Sequence, residues 1–406
     1  MTGATTGDDG PIYLDYAAST PLDPAVAAGL AELLTATAGW ANPSAGHAAG
    51  RRAMALVNAA AARLAALLNC DARQLVFTSG ATESNNLAIQ GAAAYRAARG
   101  RHLVTLRTEH RAVTDVFRAL EKRGYDVTWL SPRPDGRLDP GALEAALRPD
   151  TQLVSAMHVN NETGVIQDIA AIGRLCHANG TLLHVDAAQS FGKLPIDLAA
   201  LPVDFLSATA HKIYGPKGVG VLYVSGRAGA HVEPLMFGGG QQRGLRPGTL
   251  PAWLIAGFGL AAELAAGRMA ADHARLGELQ DRLWHGIRDL PGLRRNGSAE
   301  YGFPGILNVS AAGVEGESLL LDLEPLCVAA GSACNSRDRS PSGVLRALGL
   351  TDAEARSAIR FSFGRRTTLR EIDIAARRYR DAVLRLRALS PAVLPPGPPP
   401  ARESVG

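Results

Sequence analysis

The strongest constraint on the fold is a regular alternation of short apolar stretches with amphipathic stretches between residues 74 and 224. Strands joined by single crossover helices form a parallel sheet. We therefore predict an α/β fold with a mainly parallel sheet, whose catalytic loops converge on one crevice at the carboxyl ends of the strands. The predicted strands are residues 74–78, 102–106, 125–130, 152–158, 182–185, 205–208 and 219–224.

A second, smaller α/β domain is expected after this sheet. The chain has 406 residues, which suits two or three domains, and a long amphipathic helix at residues 254–290 suits a connector between them. We predict an N-terminal segment (1–22) that packs with the small domain and a large domain over 23–262. The small C-terminal domain would cover 263–390, and the proline-rich tail, 391–406, is predicted to be disordered.

Composition favours a soluble cytoplasmic protein. The chain has no run of about eighteen uncharged apolar residues, and its N-terminus is neither basic nor apolar. A net charge of +4 with dispersed arginines does not indicate direct nucleic-acid binding. The four cysteines form no Cys-x-x-Cys pair, so neither a disulfide framework nor structural zinc is expected.

Lysine is scarce, which narrows the search for a covalent anchor. Of the 42 lysine and arginine residues only four are lysines, Lys122, Lys193, Lys212 and Lys217. An arginine cannot lose its proton to form an imine with an aldehyde cofactor, whereas a lysine can. Lys212 follows an apolar stretch and precedes a glycine-rich turn, so we predict that it anchors pyridoxal phosphate; the alternative is a surface lysine. Lys193 and Lys217 lie in turns and could be surface residues or phosphate contacts.

A phosphate site is predicted at residues 78–85, Thr-Ser-Gly-Ala-Thr-Glu-Ser-Asn, which follow a strand and open a helix. Helix N-termini present unpaired backbone amides to anions. Gly80, Ala81 and Thr82 are the predicted phosphate cradle, and an ordinary helix N-cap is the alternative.

Further polar residues follow the other predicted strands. Asp186 comes just after a buried strand, where it could hold a protonated pyridine nitrogen, or it could be an N-cap. Gln189 could hydrogen-bond the ring hydroxyl, and Asn161 could bond that hydroxyl or a substrate carboxylate. His110 could stack on a flat ring or move a proton, although a lone histidine is more often structural.

A metal site is the weaker interpretation of this region. His110, His158, His184 and His211 all lie near strand ends, but they lack the spacing of a zinc site, and we expect no metal. His184 is expected to point into the sheet.

Two residues suggest a second part of the site. Cys334 lies in a polar, basic stretch with Arg337 and Arg339, which favours its thiolate and predicts a nucleophile; the alternative is a free surface cysteine. Arg360 is a single charged residue in an apolar strand. Because a buried arginine without a partner would be costly, a substrate carboxylate is its predicted partner.

Nine short motifs, in order, together resemble those of the IscS/NifS-type cysteine desulfurases, over about residues 11–390. They are Leu-Asp-Tyr-Ala-Ala (14–18), Thr-Ser-Gly-Ala-Thr-Glu-Ser-Asn (78–85), Thr-Glu-His (108–110), Met-His-Val-Asn-Asn-Glu (157–162), His-Val-Asp-Ala-Ala-Gln (184–189), His-Lys-Ile-Tyr-Gly-Pro-Lys-Gly (211–218), Arg-Pro-Gly-Thr (246–249), Gly-Ser-Ala-Cys (331–334) and Ile-Arg-Phe-Ser (359–362).

The resemblance implies the fold type I architecture of pyridoxal phosphate enzymes, in its class V aminotransferase variety, and a homodimer with sites at the subunit interface. It assigns each role to a matching position: Lys212 as the covalent anchor, Asp186 at the ring nitrogen, Gln189 and Asn161 at the ring hydroxyl, His110 stacked on the ring, Thr82, Thr209 and His211 at the phosphate, Thr249 as a phosphate ligand lent across the dimer, Arg360 at the substrate carboxylate and Cys334 as the persulfide carrier.

The implied reaction converts L-cysteine to alanine. Lys212 takes the α-proton, and Cys334 then attacks the substrate sulfur to form a persulfide. The implied partners are sulfur-acceptor proteins: an iron–sulfur scaffold, a tRNA-thiolation protein or a protein that modifies DNA. A selenocysteine lyase or another β-eliminating enzyme, or a non-catalytic sulfur-transfer scaffold, are the alternatives.

Three departures from the family pattern bear on the acceptor. Residues 335–339 carry more charge than the small hydroxyl residues usual there, Pro247 replaces a usual serine, and the proline-rich tail differs from the one with which IscS docks its scaffold.

Overall fold

The computed structural model describes residues 10–330 and 340–389. These residues form two compact units, one of residues 10–16, 162–164, 274–330 and 340–389 and a larger one of residues 17–161 and 165–273. The predicted tail at 391–406 and the candidate nucleophile Cys334 lie outside the described residues.

The larger unit is built on a seven-stranded sheet in the order β2-β8-β7-β6-β5-β3-β4. The pairs β3·β4, β3·β5, β5·β6 and β6·β7 are parallel, whereas β8 runs antiparallel to both of its neighbours. Between β7 and β8 the chain has a short 3₁₀ helix (Ala210–Lys212) but no α-helix, so it reverses there instead of crossing over. The strands are β2 (Leu75–Thr78), β3 (His102–Leu106), β4 (Asp126–Leu130), β5 (Thr151–Met157), β6 (Leu182–Asp186), β7 (Phe205–Thr209) and β8 (Gly220–Val224).

The predicted α/β fold with a mainly parallel sheet is confirmed, and every predicted strand of this sheet is present with ends that differ by at most one residue. All the strands except the edge strand β4 are buried along their whole length, as expected for a sheet with helices on both faces. The helices of this unit are α1 (Pro24–Thr35), α2 (Thr37–Trp40), α3 (Ala48–Leu68), α4 (Ala81–Tyr95), α5 (Arg111–Glu121), α6 (Pro140–Ala146) and α7 (Ile169–Ala178).

Local capping explains several helix ends. Asp23 accepts a hydrogen bond from the backbone N–H of Ala25, and Pro24 occupies the first helical position of α1, where its missing N–H is not needed. The alanine-rich helix α3 ends at Asn69, which adopts a left-handed conformation (φ 50°) that an asparagine tolerates. These signals fix helix ends before tertiary packing is considered.

The long helix α8 (Ala252–Ile287) belongs to both units, because the division falls between residues 273 and 274. The predicted boundary at 262/263 is therefore too early; the helix continues through it without a break. Residues 17–22, predicted as part of an N-terminal segment that packs with the small domain, belong to the larger unit. The reason is that Thr20 is held there: its N–H and its hydroxyl both donate to the His211 carbonyl at 2.9 Å.

Helix α8 is long and apolar enough to cross a membrane by length and composition, with a mean hydropathy of 1.3 over its most apolar window, 44% of which is buried in the protein. Its apolar side chains Ile255, Phe258 and Ala262 are fully buried in the core of the larger unit. Glu263 pairs with Arg63 of α3 at 2.7 Å. These contacts are those of a core helix.

The smaller unit contains a four-stranded sheet in the order β12-β13-β10-β9, with antiparallel pairs throughout, and a separate parallel pair, β1·β11. Its strands are β1 (Ile12–Tyr13), β9 (Leu293–Arg295), β10 (Ile306–Ala311), β11 (Leu326–Cys327), β12 (Ala329–Ala330) and β13 (Ala358–Ser362). Its helices, besides the end of α8, are α9 (Gly316–Asp322), α10 (Gly343–Ala347), α11 (Asp352–Arg356) and α12 (Leu369–Leu389). The smaller α/β unit predicted from the sequence is present.

Candidate active site

A cavity of about 490 Å³ lies in the larger unit, where the loops after the strands meet. Loops that follow several parallel strands converge at one edge of a sheet, so residues distant in sequence become neighbours. Its lining includes ten of the residues singled out from the sequence: Gly80, Ala81, Thr82, His110, Asn161, Asp186, Gln189, Thr209, His211 and Lys212.

The N-terminus of α4 forms one wall of this cavity. Gly80 is the N-cap, without a side-chain capping bond, and Thr82 is the second helical residue rather than the cap. The amides of the first turn have no acceptor within the helix and can bind an anion. The negative charge of the Glu83 side chain is used in other contacts, because its carboxylate accepts the Ser79 N–H at 2.6 Å and pairs with Arg246 at 2.7 Å.

The carboxylate of Asp186 stands at the end of β6 and is 3% exposed. One of its oxygens accepts the Ala188 N–H at 2.9 Å, and the other accepts the side-chain amide of Asn85 at 2.8 Å. The first bond closes a turn, and the second is a donor supplied by α4. A buried carboxylate with this support can pair with a cationic ring nitrogen.

Two histidines of the cavity are held in their neutral form. His110 caps α5, and its Nδ1 accepts the Ala112 N–H at 3.1 Å, so the proton of the neutral ring is on Nε2. Burial lowers the pKa of His110. Burial, with further contributions from Lys212, Lys217 and Lys193, lowers the pKa of His211 to about 4. At neutral pH each ring therefore has one N–H donor and one acceptor nitrogen, and the acceptor of His110 is already used by Ala112.

Three of the four lysines of the chain gather around this site. Lys212 and Lys217 line the cavity. Lys193 lies behind it, where its Nζ donates to Oε1 of Gln189 at 3.2 Å. Burial of the amine, and secondarily the charge of Lys212, lower the pKa of Lys193 to about 7, although the residue as a whole is intermediate in exposure. The sequence left Lys193 as a surface residue or a phosphate contact, and the structure assigns it neither role.

Two other polar residues were missed by the sequence reasoning. Asn85 supports Asp186, and Glu109 accepts the Met157 N–H at 2.7 Å. Burial, reinforced by the charge of Asp186, raises the pKa of Glu109 well above its usual value. Both residues stand within motifs that the sequence had marked, but no local pattern distinguishes a supporting residue from its neighbours.

One further histidine near a strand end is structural. His184 is fully buried in the sheet as expected, with Nδ1 2.8 Å from the hydroxyl of Ser155 and Nε2 3.0 Å from that of Ser207. Within residues 10–330 and 340–389, no group of three or more His, Cys, Asp or Glu side chains could hold a metal ion.

Three predicted site residues are not in the lining of this cavity. Cys334 lies outside the described residues, and Thr249 is exposed on the surface. Arg360 belongs to the smaller unit and is 8% exposed; its Nη2 pairs with Asp15 at 2.7 Å. The premise that Arg360 lacks a partner in the protein is therefore wrong, because a residue distant in the sequence supplies the carboxylate.

The chain is similar in sequence to a known protein family. A family model described as aminotransferase class-V matches residues 12–374. A protein of Serratia proteamaculans named cysteine desulfurase IscS is 53% identical over 382 residues, which is 94% of this chain and 95% of the relative.

Two solved structures have the same fold. A NifS-like protein is 31% identical, with a TM-score of 0.86 over 93% of this chain and 100% of that one. SspA in complex with cysteine is 37% identical, with a TM-score of 0.78 over 87% of this chain and 99% of that one. The fold, the cavity and these similarities agree, and the chain belongs to the class V aminotransferase family.

Proposed function

We propose that this chain is a pyridoxal phosphate-dependent cysteine desulfurase that converts L-cysteine to L-alanine and passes the sulfur on as a persulfide. The observation that carries the proposal is that Lys212 and the buried carboxylate of Asp186 line one cavity with a free helix N-terminus. That combination supplies an amine for an aldehyde, an anion for a ring nitrogen and amides for a phosphate.

The cofactor is pyridoxal phosphate, and the residues present fit it. Lys212 would hold its aldehyde carbon and Asp186 its ring nitrogen, with Gln189 and Asn161 near the ring hydroxyl. Its phosphate would be held by the first turn of α4, including Gly80, Ala81 and Thr82, with Thr209 and His211. When bound, the cofactor supplies an electron sink for the amino acid attached to it.

Within this proposal the described residues position the substrate and move protons. Nζ of Lys212, once released from the cofactor, accepts the α-proton of L-cysteine. His110 presents its Nε2–H to the cavity, because Nδ1 is occupied by the Ala112 N–H. Burial keeps that ring neutral, so it can stack on a flat ring without a full charge.

Sulfur transfer is assigned to Cys334. Its thiolate attacks the substrate sulfur: a sulfur–sulfur bond forms, the carbon–sulfur bond breaks, and the electron pair remains with carbon, which takes up a proton and leaves as alanine. Arg360 would bind the substrate carboxylate. Its guanidinium already contacts Asp15, so the proposal requires that the substrate share or replace that contact.

The partners follow from this chemistry. We propose sulfur-acceptor proteins for iron–sulfur cluster assembly or thiolation, a cytoplasmic location and a homodimer. A group of exposed apolar side chains, Leu235, Met236 and Phe237, of which the last is 89% exposed, offers a surface for a second copy. Thr249 would reach the partner's phosphate. Light scattering at micromolar concentration should give the mass of a dimer, and a monomer would contradict this part of the proposal.

The direct test incubates the purified holoenzyme with L-cysteine and a reductant. Alanine and sulfide are expected in equal amounts. Lys212→Ala should abolish both the visible absorbance of the lysine-bound cofactor and the reaction, while Cys334→Ala should keep the absorbance and lose the sulfide. Lys122→Ala, a lysine at a helix end, is the matched control and should behave as the unmodified protein.

Other outcomes would point elsewhere. A marked preference for L-selenocysteine would indicate a selenocysteine lyase. A protein that remains colourless with pyridoxal phosphate yet binds acceptor proteins would indicate a non-catalytic scaffold.

A further inference from the structure

Gln189 is held at both ends of its carboxamide. Its Nε2 donates to the carbonyl oxygen of Ala17 at 2.7 Å, and its Oε1 accepts from Nζ of Lys193 at 3.2 Å. The side chain is 2% exposed and lines the cavity. Lys193 stands four residues further along the chain, behind the cavity wall.

These two contacts determine which way the amide is turned. A carboxamide has one end that donates and one that accepts, the Ala17 carbonyl can only accept, and Lys193 can only donate while it is protonated, below its pKa of about 7. If the amide of Gln189 were reversed, its oxygen would face the carbonyl of Ala17 and its N–H groups would face the amine of Lys193. The contact with Ala17 would be repulsive at any pH, and the contact with Lys193 would be repulsive while its amine is protonated, so buried polar groups would be left unpaired.

The fixed orientation has a chemical consequence. Nε2 carries two N–H groups, of which one is used by Ala17. The second N–H can be offered to a group in the cavity. We propose that Lys193 is a positioning residue that locks the carboxamide of Gln189 so that it presents an N–H, rather than an oxygen, to the ring oxygen of the cofactor. This inference rests on the proposed function, because it requires the cofactor beside Gln189.

A hydrogen-bond donor at the ring oxygen should lower the pKa of the covalent linkage between Lys212 and the cofactor, here called the linkage. With the cofactor bound, an N–H from Gln189 would occupy a lone pair of the ring oxygen and so would make that oxygen a weaker acceptor for the proton on the Lys212 nitrogen. Lys193 also acts through its charge, since it interacts electrostatically with Lys212 and His211. Both effects lower the pKa of the linkage, so the experiment has to separate them.

The test follows the visible absorbance of the lysine-bound cofactor against pH in the holoenzyme. Lys193→Met keeps the length of the side chain but removes both donor and charge, and it should raise the pKa of the linkage by about one unit, the equivalent of one hydrogen bond. Lys193→Gln removes the charge but keeps a donor, and it should return the pKa towards the original value.

A double-mutant cycle isolates the orientation. In a Gln189→Ala background no carboxamide remains to be oriented, so Lys193→Met should have much less effect than in the unmodified protein. Lys217→Met is the matched control, because this lysine lines the cavity and affects His211 but is not bonded to Gln189. Its effect should be the same with and without Gln189.

Two results would overturn the inference. An equal rise in pKa on Lys193→Met with and without Gln189 would mean that Lys193 acts by charge alone. No rise in Lys193→Met would mean that Ala17 suffices to hold the amide. These failures differ from failure of the proposed function, in which the unmodified protein itself would form no visible band with pyridoxal phosphate and the inference would fall with it.

Discussion

Acid should destabilise this protein through a histidine at the centre of its sheet. His184 is 0% exposed, and its two ring nitrogens lie 2.8 Å and 3.0 Å from the hydroxyls of Ser155 and Ser207 on the neighbouring strands. Hydroxyls donate or accept, so the neutral ring is satisfied in either tautomer. Burial lowers the pKa of His184 to about 4, against an opposing effect of Asp186.

The sign and size of this loss of stability follow from the difference in proton uptake between the folded and the unfolded protein. The unfolded chain takes up the proton near pH 6.5, the ordinary histidine value, whereas the folded protein resists it until about pH 4. The contribution to stability is therefore complete above pH 6.5 and is lost as the pH falls towards 4. Between about pH 7.5 and pH 5 the loss from this one residue should be about 2 kcal/mol.

Comparison with His184→Gln measures this loss. At about pH 7.5 the variant should be less stable by about 1 kcal/mol, because its amide fits the two serines less well. At about pH 5 that deficit should disappear or reverse, since glutamine does not titrate. Urea denaturation of both proteins at each pH, with equal cofactor, gives the difference, and the other buried histidines cancel because both proteins contain them.

His285→Gln, the same substitution at an exposed histidine, is the control. This histidine is exposed on α8, so the corresponding difference should change much less with pH. A His184→Gln difference that stays constant within about 0.5 kcal/mol from pH 7.5 to 5 would refute the argument, because the burial of the ring would then carry no proton linkage.

Three further substitutions test the packing of the protein, two at the site and one in α8. Asn85→Leu should destabilise the cofactor-free protein by about 1.5–3 kcal/mol, because the buried carboxylate of Asp186 loses a donor; a change below about 0.5 kcal/mol in urea denaturation would contradict this. Gly220→Ala should lower the free energy of unfolding by about 1–3 kcal/mol and weaken cofactor retention in dialysis, because the added Cβ would lie 2.6 Å from backbone carbons of Gly80. Unchanged retention and stability would show that the backbone moves aside without cost. Gly277→Ala, in α8 with no atom within 4 Å of the added carbon, should instead stabilise the protein by up to about 1 kcal/mol, and a lower melting temperature would count against it.

Local sequence decided the elements of the larger unit with little ambiguity. Apolar stretches bounded by turn residues predicted each strand of the main sheet to within one residue, because β-strands and their helices are encoded by neighbouring residues. The strand-to-helix turn at Gly80 and the scarcity of lysine likewise indicated the cavity and its candidate anchor Lys212. These are properties of short stretches, and they need no knowledge of what packs against them.

Tertiary structure alone decided which side chains support one another. Asn85 meets Asp186 across 101 residues, and Arg360 meets Asp15 across 345. The boundary between the units was also placed too early, since helical periodicity does not reveal which part of α8 packs on which unit. Sequence periodicity sets the direction in which a side chain points, but the partner it meets depends on strand order and on the loops brought together at one sheet edge.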